Sequence, residues 1–181
     1  MRMSLIQKIF ITLSFLLTGS ISYSQALNAE EKKLYNLIME YRKANGLPSI
    51  PLSASLTYVA QTHVHDLNDN HPDIGKCNTH SWSDKGSWTE CCYTSDHAQA
   101  KGMWLKPKEL TSYQGYGYEI AHWSSNYTTA EGSLEGWKSS PGHNAVVLNQ
   151  SIWGNHPWQA IGIGIYNNYA VVWFGEELDL K

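Results

Sequence analysis

The chain is poor in cysteine, in phenylalanine and in charge. Three cysteines, Cys77, Cys91 and Cys92, stand among 181 residues. None shows C-x-x-C spacing, so a zinc site built from them lacks its usual signature. Three Phe face eight Trp and eleven Tyr. Charged residues make up only 16% of the chain and form no basic stripe. That argues against nucleic acid as a partner and against anionic membrane surfaces. Beyond the first two dozen residues no stretch is apolar for long enough to span a bilayer. There is no internal repeat and no low-complexity tract.

What is present begins with a leader. Arg2 and Lys8 provide a positive start, and Ile9–Leu17 follows as a mostly apolar run too short for a mature membrane helix. Ser22-x-Ser24 then has the small-x-small form that a signal peptidase accepts. The expectation is a signal peptide over residues 1–24 and a single domain over 25–181, secreted or periplasmic. Without the leader, 11 basic and 16 acidic residues remain, a net charge of −5 with neutral histidines. Outside the cell, oxidation is expected. Cys77 is then expected to pair with Cys91 or Cys92, closing a loop of about 15 residues worth on the order of 3 kcal/mol and leaving one thiol over. The Trp and Tyr excess suits core packing, with rings whose polar edge also serves a groove or a contact surface.

The periodicity predicts a helix over residues 28–45. Asn28 and Glu31 form a capping box, Leu34, Leu37, Ile38 and Tyr41 fall on one face, and Gly46 stops it. A second helix is predicted from Ser53 to about Leu67, with Leu56, Val59, Ala60, His63 and Leu67 on one face. A histidine so placed reads first as a core residue. Residues 68–118 read as irregular, with a short helix near Asp96–Trp104. Thr128 or Thr129 caps a third helix through about Ser139, which Pro141-Gly142 ends. The tail reads as strands. Ala145–Leu148 is a short apolar run, Ile161, Ile163 and Ile165 alternate with glycines, and Asn167-Asn168 turns the chain into Tyr169–Phe174. Helices set apart from an antiparallel hairpin make an α+β domain. Asn126-Tyr127-Thr128 is a glycosylation sequon in a host that reads it.

Three polar signals could carry chemistry: His80-Ser81, Glu119 in GYEIAHW, and His143 in WKSSPGH. A Ser-His reading with Ser139 or Ser140 lacks a nucleophile elbow. A Cys nucleophile conflicts with an oxidising compartment.

These segments together resemble a known family. LYNLIMEYRKANGLPSIPLSASLTYVAQTHVHDL, the HS at 80–81, GYEIA at 117–121, EGWKSSPGHNAVVLN and WQAIGIGIYNNYAVVWFG resemble the successive motifs of the CAP superfamily, in its bacterial branch of secreted SCP-type domains. The resemblance covers about Glu31 to Gly175. It implies an α–β–α sandwich with a central antiparallel sheet, and a groove where two histidines and two acids hold a divalent metal in many members. His80 and His143 match the histidines and are the expected metal ligands, for zinc or another divalent ion. Glu119 matches the first acid, although an ungapped alignment puts Tyr118 there. The family's second acid is replaced by Ser140, and Glu135 is a poor substitute, about 140° round the helix. Tyr118, Ser140, Ser81 and His63 are expected around the groove. The implied function is a binding module for an extracellular lipid, glycan or protein. The rival is a metal-dependent hydrolase in which Glu119 orients or deprotonates a water.

Overall fold

The computed structural model describes residues 26–180. The leader over 1–24 and its cleavage point lie outside them. Helix α1 (Ala29–Ala44) starts at the predicted capping box: Asn28 Oδ1 accepts from the Glu31 amide at 2.9 Å, and Glu31 Oε2 accepts from the Asn28 amide at 2.8 Å. The same buried Glu31 also accepts from Gln61 Nε2 at 2.8 Å and from the Ile165 amide at 3.2 Å. One cap thus ties the start of α1 to a second helix and a strand.

Helix α2 (Ala54–Asn70) is capped by Ser53 and runs one turn beyond the predicted end, until His71 turns left-handed at φ 48°. Its N-terminus is also held from the far end of the chain. Asp179 accepts from Ser53 Oγ at 2.7 Å, from the Ser55 amide at 2.9 Å and from Ser55 Oγ at 2.9 Å. A carboxylate there satisfies an orphan N–H and sits favourably against the helix dipole. Asp179→Ala is therefore expected to cost about 1 kcal/mol in urea unfolding.

The remaining elements are α3 (Ala100–Trp104), α4 (Lys106–Leu110), β1 (Gly117–Trp123), α5 (Ala130–Ser139), α6 (Pro141–Val147), a 3-10 turn (Ser151–Asn155), β2 (Ala160–Tyr166) and β3 (Tyr169–Gly175). Thr129, not Thr128, caps α5. The apolar run at Ala145–Leu148 is not a strand; its first three residues close α6. Pro141 ends α5 but opens α6, because a proline in the first helical turn forgoes only an N–H that has no intrahelical partner there.

The three strands form an antiparallel sheet in the order β1-β3-β2. Its two faces carry two cores. Ile120, Ile161, Ile163, Ile165, Val172 and Phe174 pack on α1, α5 and α6. Ala121, Val171 and Trp173 pack on α2, Trp82 and α3. The fold is thus an α–β–α sandwich. The alternation of isoleucine with glycine in β2 is the cause of its asymmetry. A Cβ on Gly162 would stand 2.1 Å from the Leu56 carbonyl carbon, and one on Gly164 would stand 2.4 Å from the Ala60 carbonyl oxygen. The bare face of β2 therefore lets the α2 backbone lie directly on the strand.

The middle segment is fastened by Cys77–Cys92, with Cα atoms 5.0 Å apart. Neighbouring residues in an extended segment point to opposite sides. Cys91 pairs with Trp82 in a β-bridge and its thiol turns inward, 3.6 Å from the Gln99 carbonyl, with no room for a Cβ on Gly102. That choice between the two cysteines was open in the sequence. No helix among the described residues is long and apolar enough to cross a membrane.

Candidate functional site

The site is assembled from four parts of the chain. α2 supplies His63, the disulfide loop supplies His80, Ser81 and Trp82, β1 supplies Glu119 and α6 supplies His143. On β1, side chains alternate between the two faces of the sheet. Glu119 projects toward α2, across the ladder from Trp173, whereas Tyr118 projects to the other face. There Tyr118 packs among Trp153, His156 and Trp158, with ring centroids 5.3–5.7 Å away. The carboxylate that meets the histidines is thus Glu119. Tyr118, expected around the same groove, stands across the sheet from it.

Both oxygens of Glu119 are taken. His63 Nδ1 lies 2.5 Å from Oε2 and His80 Nδ1 lies 2.8 Å from Oε1. The Glu119 and His63 side chains are fully buried. His63 Nε2 lies 2.8 Å from the carbonyl oxygen of Ser81, which only accepts, so Nε2 carries a proton. An ionised Glu119 then requires a proton on Nδ1 as well, and His63 is an imidazolium. Burial on its own would lower the His63 pKa, but the charge and hydrogen bond of Glu119 and the Ser81 carbonyl outweigh it and hold the value above the ordinary one. Burial would raise the Glu119 carboxyl, but the charge of His63 and the hydrogen bonds of both histidines hold it below the usual range.

Aromatic rings enclose this pair. Trp82 stacks on His63 with centroids 4.2 Å apart and planes 5° from parallel, and Trp173 meets it edge-on at 6.3 Å. A cation over an indole face is a favourable contact when desolvated. Lys106 Nζ, also buried, stands 5.4 Å from the same Trp82 ring.

His80 reaches outward. Its side chain is 18% exposed, and Tyr93 meets it edge-on at 5.2 Å. With Nδ1 donating to Glu119, a neutral His80 presents its lone pair on Nε2. A carboxylate that fixes the tautomer of a histidine in this way is the usual support behind a metal-ligating imidazole. His143 is half-buried on α6. Burial, followed by the nearby His80 and His122 imidazoles, pushes its pKa down, so it is a neutral donor at physiological pH. α6 is held in place by α1: Tyr41 Oη donates to Asn144 Oδ1 at 2.9 Å, and buried Arg42 donates to the Val147 carbonyl at 2.6 Å.

Each Glu119 oxygen is thus engaged by a histidine, and its side chain is fully buried. Among the described residues no group of three or more His, Cys, Asp or Glu is arranged to hold a metal ion. The donors left are two imidazoles, His80 and His143, which fit a low-coordinate divalent ion that takes its other ligands from water or from a bound molecule. Ser81 serves through its backbone carbonyl. Ser140 is the residue between α5 and α6 and is not bonded to the histidines. Trp82 and His122 were not singled out in the sequence. The spacing HSW held the signal for Trp82, since the loop that delivers His80 must also deliver its neighbour. A cleft of about 840 Å³ opens along the disulfide loop, with Trp82, Cys91, Ile74 and Asp84 among its walls. His80, Glu119 and His143 are not.

The family model for the cysteine-rich secretory protein family, CAP, matches residues 35–172. No curated protein matches the chain. Among solved structures, an extracellular SCP-domain protein of Bacillus anthracis is similar at a TM-score of 0.56 and 17% identity, over 85% of this chain and 45% of that one. An outer surface protein of Borrelia burgdorferi gives a TM-score of 0.54 and 18% identity, over 81% of this chain and 91% of that one. A cysteine-rich secretory protein of Staphylococcus aureus gives 0.52 and 16%, over 82% and 39%. The chain thus spans less than half of the Bacillus and Staphylococcus proteins. At these identities the likeness speaks for the fold alone.

Proposed function

The chain belongs to the cysteine-rich secretory protein (CAP) family, and from that premise we propose that it is an extracellular binding module organised around His80 and His143. The observation that carries this reading is the enclosure of Glu119. A hydrolase of the kind its sequence suggests needs a carboxylate free to take a proton from water. Here both carboxylate oxygens are committed to His63 and His80 inside the core. What remains is a pair of imidazoles, His143 held neutral by burial and His80 with its Nδ1 engaged from behind by Glu119. Such a pair holds a ligand, either directly by hydrogen bonds or through a divalent ion.

A bound ion would supply a Lewis-acidic anchor for an oxygen of the ligand. His80 and His143 would hold it, with Glu119 and His63 orienting His80. The partner classes are an extracellular lipid, glycan or protein. Export is supported by Arg2, Lys8, the apolar run and the Ser22-x-Ser24 site, and by the extracellular and surface descriptions of the similar bacterial proteins.

Thermal unfolding with zinc and with chelator tests the ion. Free zinc at about a hundredfold over Kd is expected to stabilise the protein by about 2.7 kcal/mol, and His80→Ala and His143→Ala are each expected to abolish the effect. Zinc that leaves the wild type unchanged sinks the metal arm. Turnover of a generic ester or peptide panel that disappears in His143→Ala would overturn the binding module in favour of the hydrolase.

A further inference from the structure

One end of the sheet carries a second set of unused groups. β1 leaves the sheet there, and the turn between β2 and β3 lies beside it. A depression of about 340 Å³ is lined by Ser125, Asn126, Tyr127, Asn167 and Asn168. No lining residue is charged. Of its lining, Tyr127 is 80% exposed, and Trp123, the last residue of β1 two positions before Ser125, is 54% exposed.

The walls are braced. Asn168 Nδ2 donates to the Ser124 carbonyl at 2.8 Å and to the Asn126 carbonyl at 3.2 Å. Thr128 Oγ1 donates to the Asn168 carbonyl at 2.7 Å, and the Thr128 amide donates to the Asn167 carbonyl at 2.8 Å. Asn167 holds a left-handed φ of 47°. Among the described residues, the side-chain amides of Asn126 and Asn167 and the hydroxyls of Ser125 and Tyr127 take part in none of these bonds. They are left facing solvent on a backbone that is already fixed.

We propose that this end of the sheet binds a neutral oligosaccharide, at a site separate from the His80–His143 groove. The chemistry of the lining selects the ligand. Each free group is both donor and acceptor, as a sugar hydroxyl is. The absence of charge disfavours anions and cations alike. The exposed rings offer flat apolar faces with a polar edge, suited to the C–H face of a pyranose. A pre-fixed backbone lowers the ordering cost of binding a ligand that itself brings little apolar area. An acyl chain, by contrast, finds no aliphatic wall among these residues.

The test uses cellohexaose, chitohexaose and mannohexaose as probes in isothermal titration, with chelator present and with protein carrying no glycan on Asn126. At least one probe is expected to bind. Tyr127→Ala, Asn126→Ala and Asn167→Gly, the last keeping the left-handed backbone accessible, are each expected to weaken that binding by about tenfold or more. Their thermal unfolding should match the wild type, and His80→Ala should bind as the wild type does. The proposal is overturned if none of the three binds at about 10 mM, or if binding survives all three loop variants. Binding lost in His80→Ala but kept in the loop variants assigns the sugar to the histidine groove instead.

Discussion

Glu119→Leu is expected to destabilise the protein by about 3–5 kcal/mol, because it removes the counter-charge of buried His63 and leaves the facing nitrogens of His63 and His80 without their acceptor. His63→Phe should cost a comparable amount by stranding the carboxylate. The double variant His63→Phe/Glu119→Leu is expected to lose much less than the sum, since a buried pair replaced by apolar groups of similar volume is often near neutral. Urea unfolding of the four proteins closes this cycle. A sum of independent losses would mean that the 2.5 Å contact is not an ion pair.

The same pair sets a pH signature. His63 has a raised value, so its contribution is complete below the ordinary imidazole value of 6.5 and is lost as pH rises through the folded value. Glu119 has a lowered value, so its contribution is complete above the ordinary carboxyl value of 4.5 and is lost as pH falls through the folded value. The pair is fully effective between about pH 4.5 and 6.5. With chelator present, stability relative to the double variant should peak in that window and fall on both sides. A flat difference across it refutes the charge assignment.

Gly162→Ala is the second large effect. The added methyl would meet the main chain of α2, with Leu56 C at 2.1 Å, Leu56 O at 2.3 Å and Thr57 N at 2.3 Å. A helix backbone cannot step aside as a side-chain tip can. The cost belongs at the upper end of overpacking, about 3 kcal/mol or more. Gly142→Ala is the control. A Cβ there has nothing within 4 Å, and the position lies in α6, where alanine is the better helix former. It should be neutral or slightly stabilising. Equal losses at the two positions would sink the close-packing account of β2.

The helices α1, α2 and α5 and the final hairpin were legible because each rests on local signals: a cap, a periodic face, a turn pair. The bare face of β2 was legible too, although not what would lie on it. α6 was not, because Pro141-Gly142 reads as a stop and the proline's place in a first turn depends on where α5 ends. The three polar signals were also visible one by one. Their roles were not. Whether Glu119 is a free base or a buried counter-ion depends on His63, 56 residues earlier in the chain. His63 read as a core histidine on an apolar face, and it is buried as expected. Its charge follows from two partners, the Ser81 carbonyl and the Glu119 carboxylate, which only the tertiary fold brings to its two nitrogens.

The Cys77–Cys92 link has one further consequence. His80, Ser81 and Trp82 all lie inside the loop it closes. The residue that faces outward, the carbonyl that fixes the His63 proton and the indole that covers that ring thus share one fastening. In a reducing cytosol the loop is untied, and the unfolded chain keeps about 3 kcal/mol of freedom that the closed loop lacks. Oxidation therefore acts on assembly of the site as well as on stability: His80, the histidine proposed to meet a ligand, is set in place by the same chemistry that distinguishes the outside of the cell from the inside.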